Sequence, residues 1–322
     1  MKNKKWMLIL LSLVMVMALA ACGNNEEEVQ EPEAQPPVQE EPVQEAEEDE
    51  KEMIMDEFRA IVEEGEASVG NIKQFMHENL PALGELEGNY MLDNLENALK
   101  KEIDVVNKNI AEFDAEEELM ELFGEDFSLS PDMIGEIEDV DLRATVQDAY
   151  DNHYRLISRE GQVEAVIDYS SLKEYQEKVT DEWKEYIDIM AAESDQPPFS
   201  DGALTITFDE LAERILRIEN YLNRYISGPR QEELLELYEN RLTAYYKGLP
   251  NTPIAAYDSG EILDNVYESY ESTAANDGYV TSSMIGEYRI AIRDNDMIVD
   301  DGILALADQY IDESVRVLRE FK

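Results

Sequence analysis

A spacing constrains this chain more than any other feature. Between residues 89 and 113, Leu92, Leu95, Leu99, Ile103, Val106, Ile110 and Phe113 recur at alternating intervals of three and four. At 3.6 residues per turn they form one narrow apolar stripe on a long helix, and such a stripe is stable in water only when packed against partners. The pattern returns in 141–158 with Leu142, Val146, Tyr150, His153 and Ile157 on one face. Ser171-Leu172-Lys173-Glu174 reads as a capping box opening a helix with Leu172, Tyr175, Val179, Trp183, Tyr186 and Met190 inward. Thr207 and Glu210 read as another, followed by Phe208, Leu211, Ile215, Ile218, Leu222 and Tyr225 and stopped by Gly228-Pro229. A helix near 230–247 closes on Gly248-Leu249-Pro250, and three more are expected near 260–274, 281–293 and 297–320.

Strand signals are scarce: only Gln162–Tyr169 and Ala203–Phe208 alternate. The expected fold is therefore all-α, a helical bundle or array of about eight to ten amphipathic helices. Residues 193–204, with two prolines, a glycine and short polar residues, form the clearest break in the body. They divide it into a helical subdomain at 53–192 and a tyrosine-rich one at 205–322, packed as two units or joined as one domain. Val146…Tyr150…Gly161-Gln162-Val163…Tyr169 faintly resembles Val266…Tyr270…Gly278-Tyr279-Val280…Tyr288. The spacings differ, and two helix–turn–helix units sharing common residues explain the likeness without a duplication.

The N-terminus is of another kind. Lys2, Lys4 and Lys5 precede a run from Trp6 to Ala21 that is apolar except for Ser12. It is shorter than the roughly 20 residues of a membrane-spanning helix and suits the core of a signal peptide, residues 1–21. The run ends in Leu19-Ala20-Ala21-Cys22, and Cys22 is the only cysteine in the chain. These residues closely resemble the lipobox of bacterial lipoproteins. The resemblance covers residues 1–22 alone. It implies cleavage before Cys22 and lipid on its thiol, with palmitate-type acyl chains holding the protein to the outer face of the cell membrane. Two chains suffice for stable anchoring, where one is marginal. A single cysteine also excludes an internal disulfide framework and any multi-cysteine metal site.

Residues 23–52 contain thirteen acidic residues, one lysine, four prolines and no aromatic residue. Self-repulsion and lack of apolar surface predict that 22–52 form a lipid-anchored, disordered acidic stalk. The whole chain carries 75 acidic and 26 basic residues, which leaves 62 against 22 on residues 53–322. A field of that sign repels nucleic acid and anionic headgroups, so nucleic-acid partners are excluded. Dense negative charge also keeps an extracellular protein soluble.

Motifs for chemistry are few. His77 and His153 are the only histidines, neither in an HExxH or ExxH pattern, and His153 falls on an apolar helical face. Ser170 and Lys173 match the SxxK of penicillin-binding proteins, but no KTG accompanies them. Neither GxSxG nor a P-loop occurs. No cofactor is expected beyond a calcium ion at the oxygen-rich turns holding Asp294, Asp296, Asp300 and Asp301, which depart from EF-hand spacing. Eleven of 17 tyrosines follow residue 220. They fill a core or, as the functional alternative, line an aromatic groove for glycan or peptide with Tyr221, Tyr225, Tyr245, Tyr246, Tyr267 and Tyr270.

The preferred expectation is a non-enzymatic module of the cell envelope, anchored through Cys22, that binds a ligand, a wall component or another envelope protein. A wall-acting hydrolase using unrecognised carboxylates is the first alternative. The solute-binding lipoprotein of an importer is the second, although such proteins alternate strands and helices in two lobes.

Overall fold

The spacings become helices along the chain, with exceptions where local chemistry overrides them. A computed structural model describes residues 41–63, 67–124, 127–159, 161–226, 228 and 230–320. Among them the α-helices are α1 (Glu41–Glu63), α2 (Val69–Asn79), α3 (Glu85–Ala111), α4 (Glu116–Glu121) and α5 (Val140–Asp151). A ribbon of β1 (Tyr154–Arg159) and β2 (Gln162–Ile167) precedes α6 (Asp181–Asp195). A two-residue hairpin of β3 (Phe199–Ser200) and β4 (Ala203–Leu204) leads to α7 (Phe208–Arg224) and α8 (Gln231–Lys247). The small ribbon β5 (Gly248–Leu249) and β6 (Thr252–Pro253) precedes α9 (Asp264–Ala274), α10 (Val280–Asp294) and α11 (Asp301–Glu320). Short 3-10 segments lie at Leu80–Ala82, Pro131–Glu136 and Ser171–Lys178. Among the described residues the fold is a helical array carrying three antiparallel two-stranded ribbons.

The chain divides into two units, Met1–Glu45 and Ala46–Lys322. Of the first only 41–45 are described, as the opening of α1; the signal peptide, Cys22 and the stalk as far as residue 40 lie outside the described residues. Residues 41–52, expected to belong to a disordered stalk, are helical. Glutamate, glutamine and alanine favour helix there, and Pro42 sits in the first turn, where its missing N–H costs nothing. Further along α1, Met55 and Phe58 are buried in the core of the second unit.

That second unit joins both expected subdomains around one apolar core reaching from Met55 to Leu318. In α3, Leu92, Leu95, Leu99 and Ile110 are buried as the stripe requires, while Ile103 and Val106, with Phe113 just beyond the helix, pack against the core half-buried. Thr207 caps α7 as expected, its side chain accepting from the Glu210 amide at 3.1 Å.

Two helical expectations fail. The stripe assigned to 141–158 breaks at Asp151, and His153 takes a left-handed conformation with φ +65°. Residues 154–159 then pair with 162–167 in register from Tyr154–Ile167 to Arg159–Gln162. Tyr154, Leu156, Ala165 and Ile167 are buried in the ribbon, so a half-buried strand buries this segment as well as a fourth helical turn would. Because 162–167 is strand whereas 280–294 is helix, the faint internal likeness does not extend to structure.

The second failure is the capping box at Ser171. Its hydroxyl donates to the Asp168 carbonyl at 2.7 Å, the segment is 3-10, and the α-helix starts ten residues later behind Thr180. Asn89 fixes that start: its Oδ1 accepts from the Thr180 amide and its Nδ2 donates to Thr180 Oγ1, both at 3.0 Å.

Candidate functional site

Strand β1 carries Arg155, Ile157 and Arg159 at every second position, on one face of the ribbon. Its free edge is taken by 127–129: the Ser158 amide donates to the Phe127 carbonyl at 2.7 Å, and the Leu129 amide to the Leu156 carbonyl at 3.0 Å. Phe127, Ser128, Arg155 and Ile157–Arg159, with Asp195–Pro197, Phe199, Ser200 and Thr205, line a cleft of about 520 Å³. The volume suits a small organic ligand.

The wall from the 193–204 break is braced. Asp201 and Gly202 both have positive φ, the two-residue turn that matches strand twist in a hairpin. Arg214 donates to the carbonyls of Ala192 and Gln196, at 3.1 and 2.9 Å, closing the end of α6. The Arg241 guanidinium lies 4.6 Å from the centre of the Phe199 ring and is itself held by Glu193, which accepts from Nε at 3.0 Å. Asp195 accepts from Arg155 Nη1 at 3.0 Å and from Ser170 Oγ at 2.6 Å. Burial pushes the neighbouring Asp168 carboxyl above its usual range, against hydrogen bonds from the Ser171 and Ser170 amides and the charge of Arg155.

Other residues singled out in the sequence fall elsewhere. Tyr221, Tyr245, Tyr246 and Tyr270 are buried core residues, so they do not line a groove. The Tyr245 hydroxyl meets Ser269 and Thr273 at 2.9 and 2.8 Å, and Tyr270 donates to the Tyr245 carbonyl at 2.7 Å. Burial pushes the Tyr245 phenol up to about 12, keeping it a neutral donor. Tyr225 and Tyr267 are half-buried, set against Arg224 and Arg289 at 5.1 and 5.7 Å.

The acidic turns serve the helices. Asp300 accepts from the Ile303 amide at 3.0 Å at the start of α11, and that bond with one from Asn295 holds its carboxyl below the ordinary range. Asp294 pairs with Arg293, Asp296 has φ +54°, and Asp301 is exposed in the first turn of α11. The four do not converge on a common point, and no group of three or more His, Cys, Asp or Glu side chains comes together to hold a metal among the described residues.

Ser170 and Lys173 point apart. The serine is bonded to Asp195 and the lysine pairs with Asp188 at 2.9 Å, so the SxxK pattern does not bring hydroxyl and ammonium together. His77 is exposed on α2. His153 is buried, with Nδ1 2.8 Å from Ser171 Oγ and Nε2 3.1 Å from the Tyr175 hydroxyl. Because Ser171 donates to Asp168, it accepts from Nδ1–H, which leaves Nε2 as the acceptor nitrogen facing the Tyr175 hydroxyl, with the Glu174 carboxylate 3.4 Å away.

Burial, aided by the charge of Lys73, lowers the His153 pKa to about 4. The unfolded imidazole takes a proton near pH 6.5 while the folded one does not. Stability is therefore highest above pH 6.5 and falls as the pH drops from there to about 4, by about 3 kcal/mol from this group. Denaturant melts from pH 7.5 to 4.5 should show this fall in the native chain and a flatter profile in His153→Gln. Equal slopes would show that His153 does not carry the effect.

The cleft was missed in the sequence because its lining comes from three distant segments; only the 193–204 break hinted at it. Set against protein-family models, curated proteins and solved structures, the chain matches none.

Proposed function

We propose that this protein is a lipid-anchored lipoprotein on the outer face of the cell membrane, a non-enzymatic module that binds a ligand or envelope partner through the cleft beside β1. The observation that carries the reading is Leu19-Ala20-Ala21-Cys22, placed directly after a short apolar run and containing the only cysteine of the chain. Among the described residues no helix is long and apolar enough to cross a membrane. Two acyl chains on Cys22 would hold the protein at the surface without one.

Binding is favoured over hydrolysis by the contacts of Asp195 in the cleft and of Ser170 and Lys173 outside its lining. Asp195 is engaged by Arg155 and Ser170, and the hydroxyl and ammonium of the SxxK pattern face different carboxylates. The importer reading asks for two lobes of alternating strands and helices; the body instead has one helical core with small ribbons.

Protease added outside intact cells tests the placement. In wild-type cells the body should be digested and should otherwise sediment with membranes. The Cys22→Ser variant should leave the membrane fraction. A body protected from external protease, or a Cys22→Ser variant that still sediments, would contradict the reading.

A further inference from the structure

We infer that the cleft takes a small amphipathic anion, with an apolar ring or chain against Phe127, Ile157 and Phe199 and a carboxylate bonded to Arg155 and Arg159. The inference rests on the binding function proposed above and names the class of ligand. Its apolar part follows from the walls. Phe127, Ile157, Pro197 and Phe199 all line the cleft, and Phe199 is braced from behind by Arg241.

Phe127 is unusual in two ways. It is 65% exposed, and it is held at φ +57°, a conformation bulky side chains rarely adopt. Such strain persists only where surrounding structure enforces it, and it collects at ligand-binding sites. Here the carbonyl of Phe127 is fixed by the Ser158 amide, on the strand that carries both arginines.

The charge of the ligand follows from the polar lining. The body has 62 acidic and 22 basic residues, yet the cleft contains two arginines and one acidic residue, Asp195. Each oxygen of Asp195 already accepts one hydrogen bond, from Arg155 and from Ser170, so it positions Arg155 in the cleft. Each guanidinium has five donors in a fork suited to carboxylate. Arg155 uses Nη1 toward Asp195, and Arg159 uses Nη1 toward Glu164 at 2.8 Å in a half-exposed pair. A surface pair of that kind is weak and exchanges readily for a ligand carboxylate.

Two probes with one ring system separate the contributions: 2-naphthoate and uncharged 2-naphthalenemethanol, titrated calorimetrically into the purified full chain. The naphthoate should bind at least tenfold more tightly than the alcohol. Arg159→Gln should reduce that preference, Arg155 retaining part of it, and leave the alcohol unchanged, while Phe127→Ala should weaken both. Both side chains are largely exposed, so the variants should keep the wild-type circular dichroism spectrum. Equal affinity for the two probes, a preference undiminished in Arg159→Gln, or no binding of either would overturn the inference. If neither probe binds while soluble wall fragments raise the melting midpoint of wild type but not of Phe127→Ala, the cleft remains a binding site and the ligand class alone is wrong.

Discussion

Glu219→Ala should lower the melting midpoint of the protein by about 10 °C, equivalent to about 3 to 4 kcal/mol. Glu219 lies on α7 and is fully buried. Its carboxylate accepts from the backbone amides of Val280 and Thr281, at 2.5 and 3.0 Å, and from Thr281 Oγ1 at 2.6 Å. Those amides open α10, whose own N-cap, Tyr279, supplies no side-chain bond. One helix thus caps another from a distance, and the negative charge sits at the positive end of the α10 dipole. Alanine would leave both amides buried without a partner and a hollow where the carboxylate was. Glu219→Gln keeps one oxygen acceptor and should lose less. A Glu219→Ala midpoint within about 2 °C of wild type would show that water replaces the carboxylate at no cost.

The second large effect is expected at Gly88, inside α3. A Cβ there would stand 1.8 Å from the carbonyl oxygen of Lys178 and 2.9 Å from its carbon. Both are backbone atoms, so no side-chain rotation relieves the clash. Gly88→Ala must lift α3 from the 3-10 segment Ser171–Lys178 and strain the Asn89–Thr180 bonds beside it. A loss of about 3 kcal/mol is expected by chemical denaturation, together with a changed environment for His153, which bonds Ser171 and Tyr175 of that segment. Gly70 supplies the contrast. It lies in α2 with nothing within 4 Å of a new Cβ, so Gly70→Ala should stabilise by about 0.5 to 1 kcal/mol. Equal effects at the two glycines would contradict the close approach at Gly88.

These two positions also show how far the sequence could be read. Helices with a strong stripe, α3 and α7, and the local cap of α7 are legible because periodicity and capping are properties of neighbouring residues. The cap of α10 by Glu219 is contributed from 61 residues away, so no local pattern carries it. The helix expected at Ser171 shifts to Asp181 for a similar reason: Gly88 and Asn89, far back in the chain, hold the backbone at Lys178 and Thr180. Residues 154–159 continue the helical stripe through Ile157 and do not alternate cleanly, so nothing within them marks a strand. The pairing with 162–167 makes them one.

The tyrosines misled in another way. Their apolar rings and polar hydroxyls suit a groove and a core alike, and burial with bonds to Ser269, Thr273 and backbone carbonyls places Tyr245 and Tyr270 in the core. The cleft, assembled from 127–128, 155–159 and 195–205, had no contiguous signature at all.

Covalent attachment at Cys22 underlies the proposed function, and intact-mass spectrometry of the protein recovered from cell membranes measures it directly. The expected mass is that of the chain beginning at Cys22 and carrying diacylglyceryl on its sulfur. A mass retaining residues 1–21 with an unmodified thiol would contradict the account.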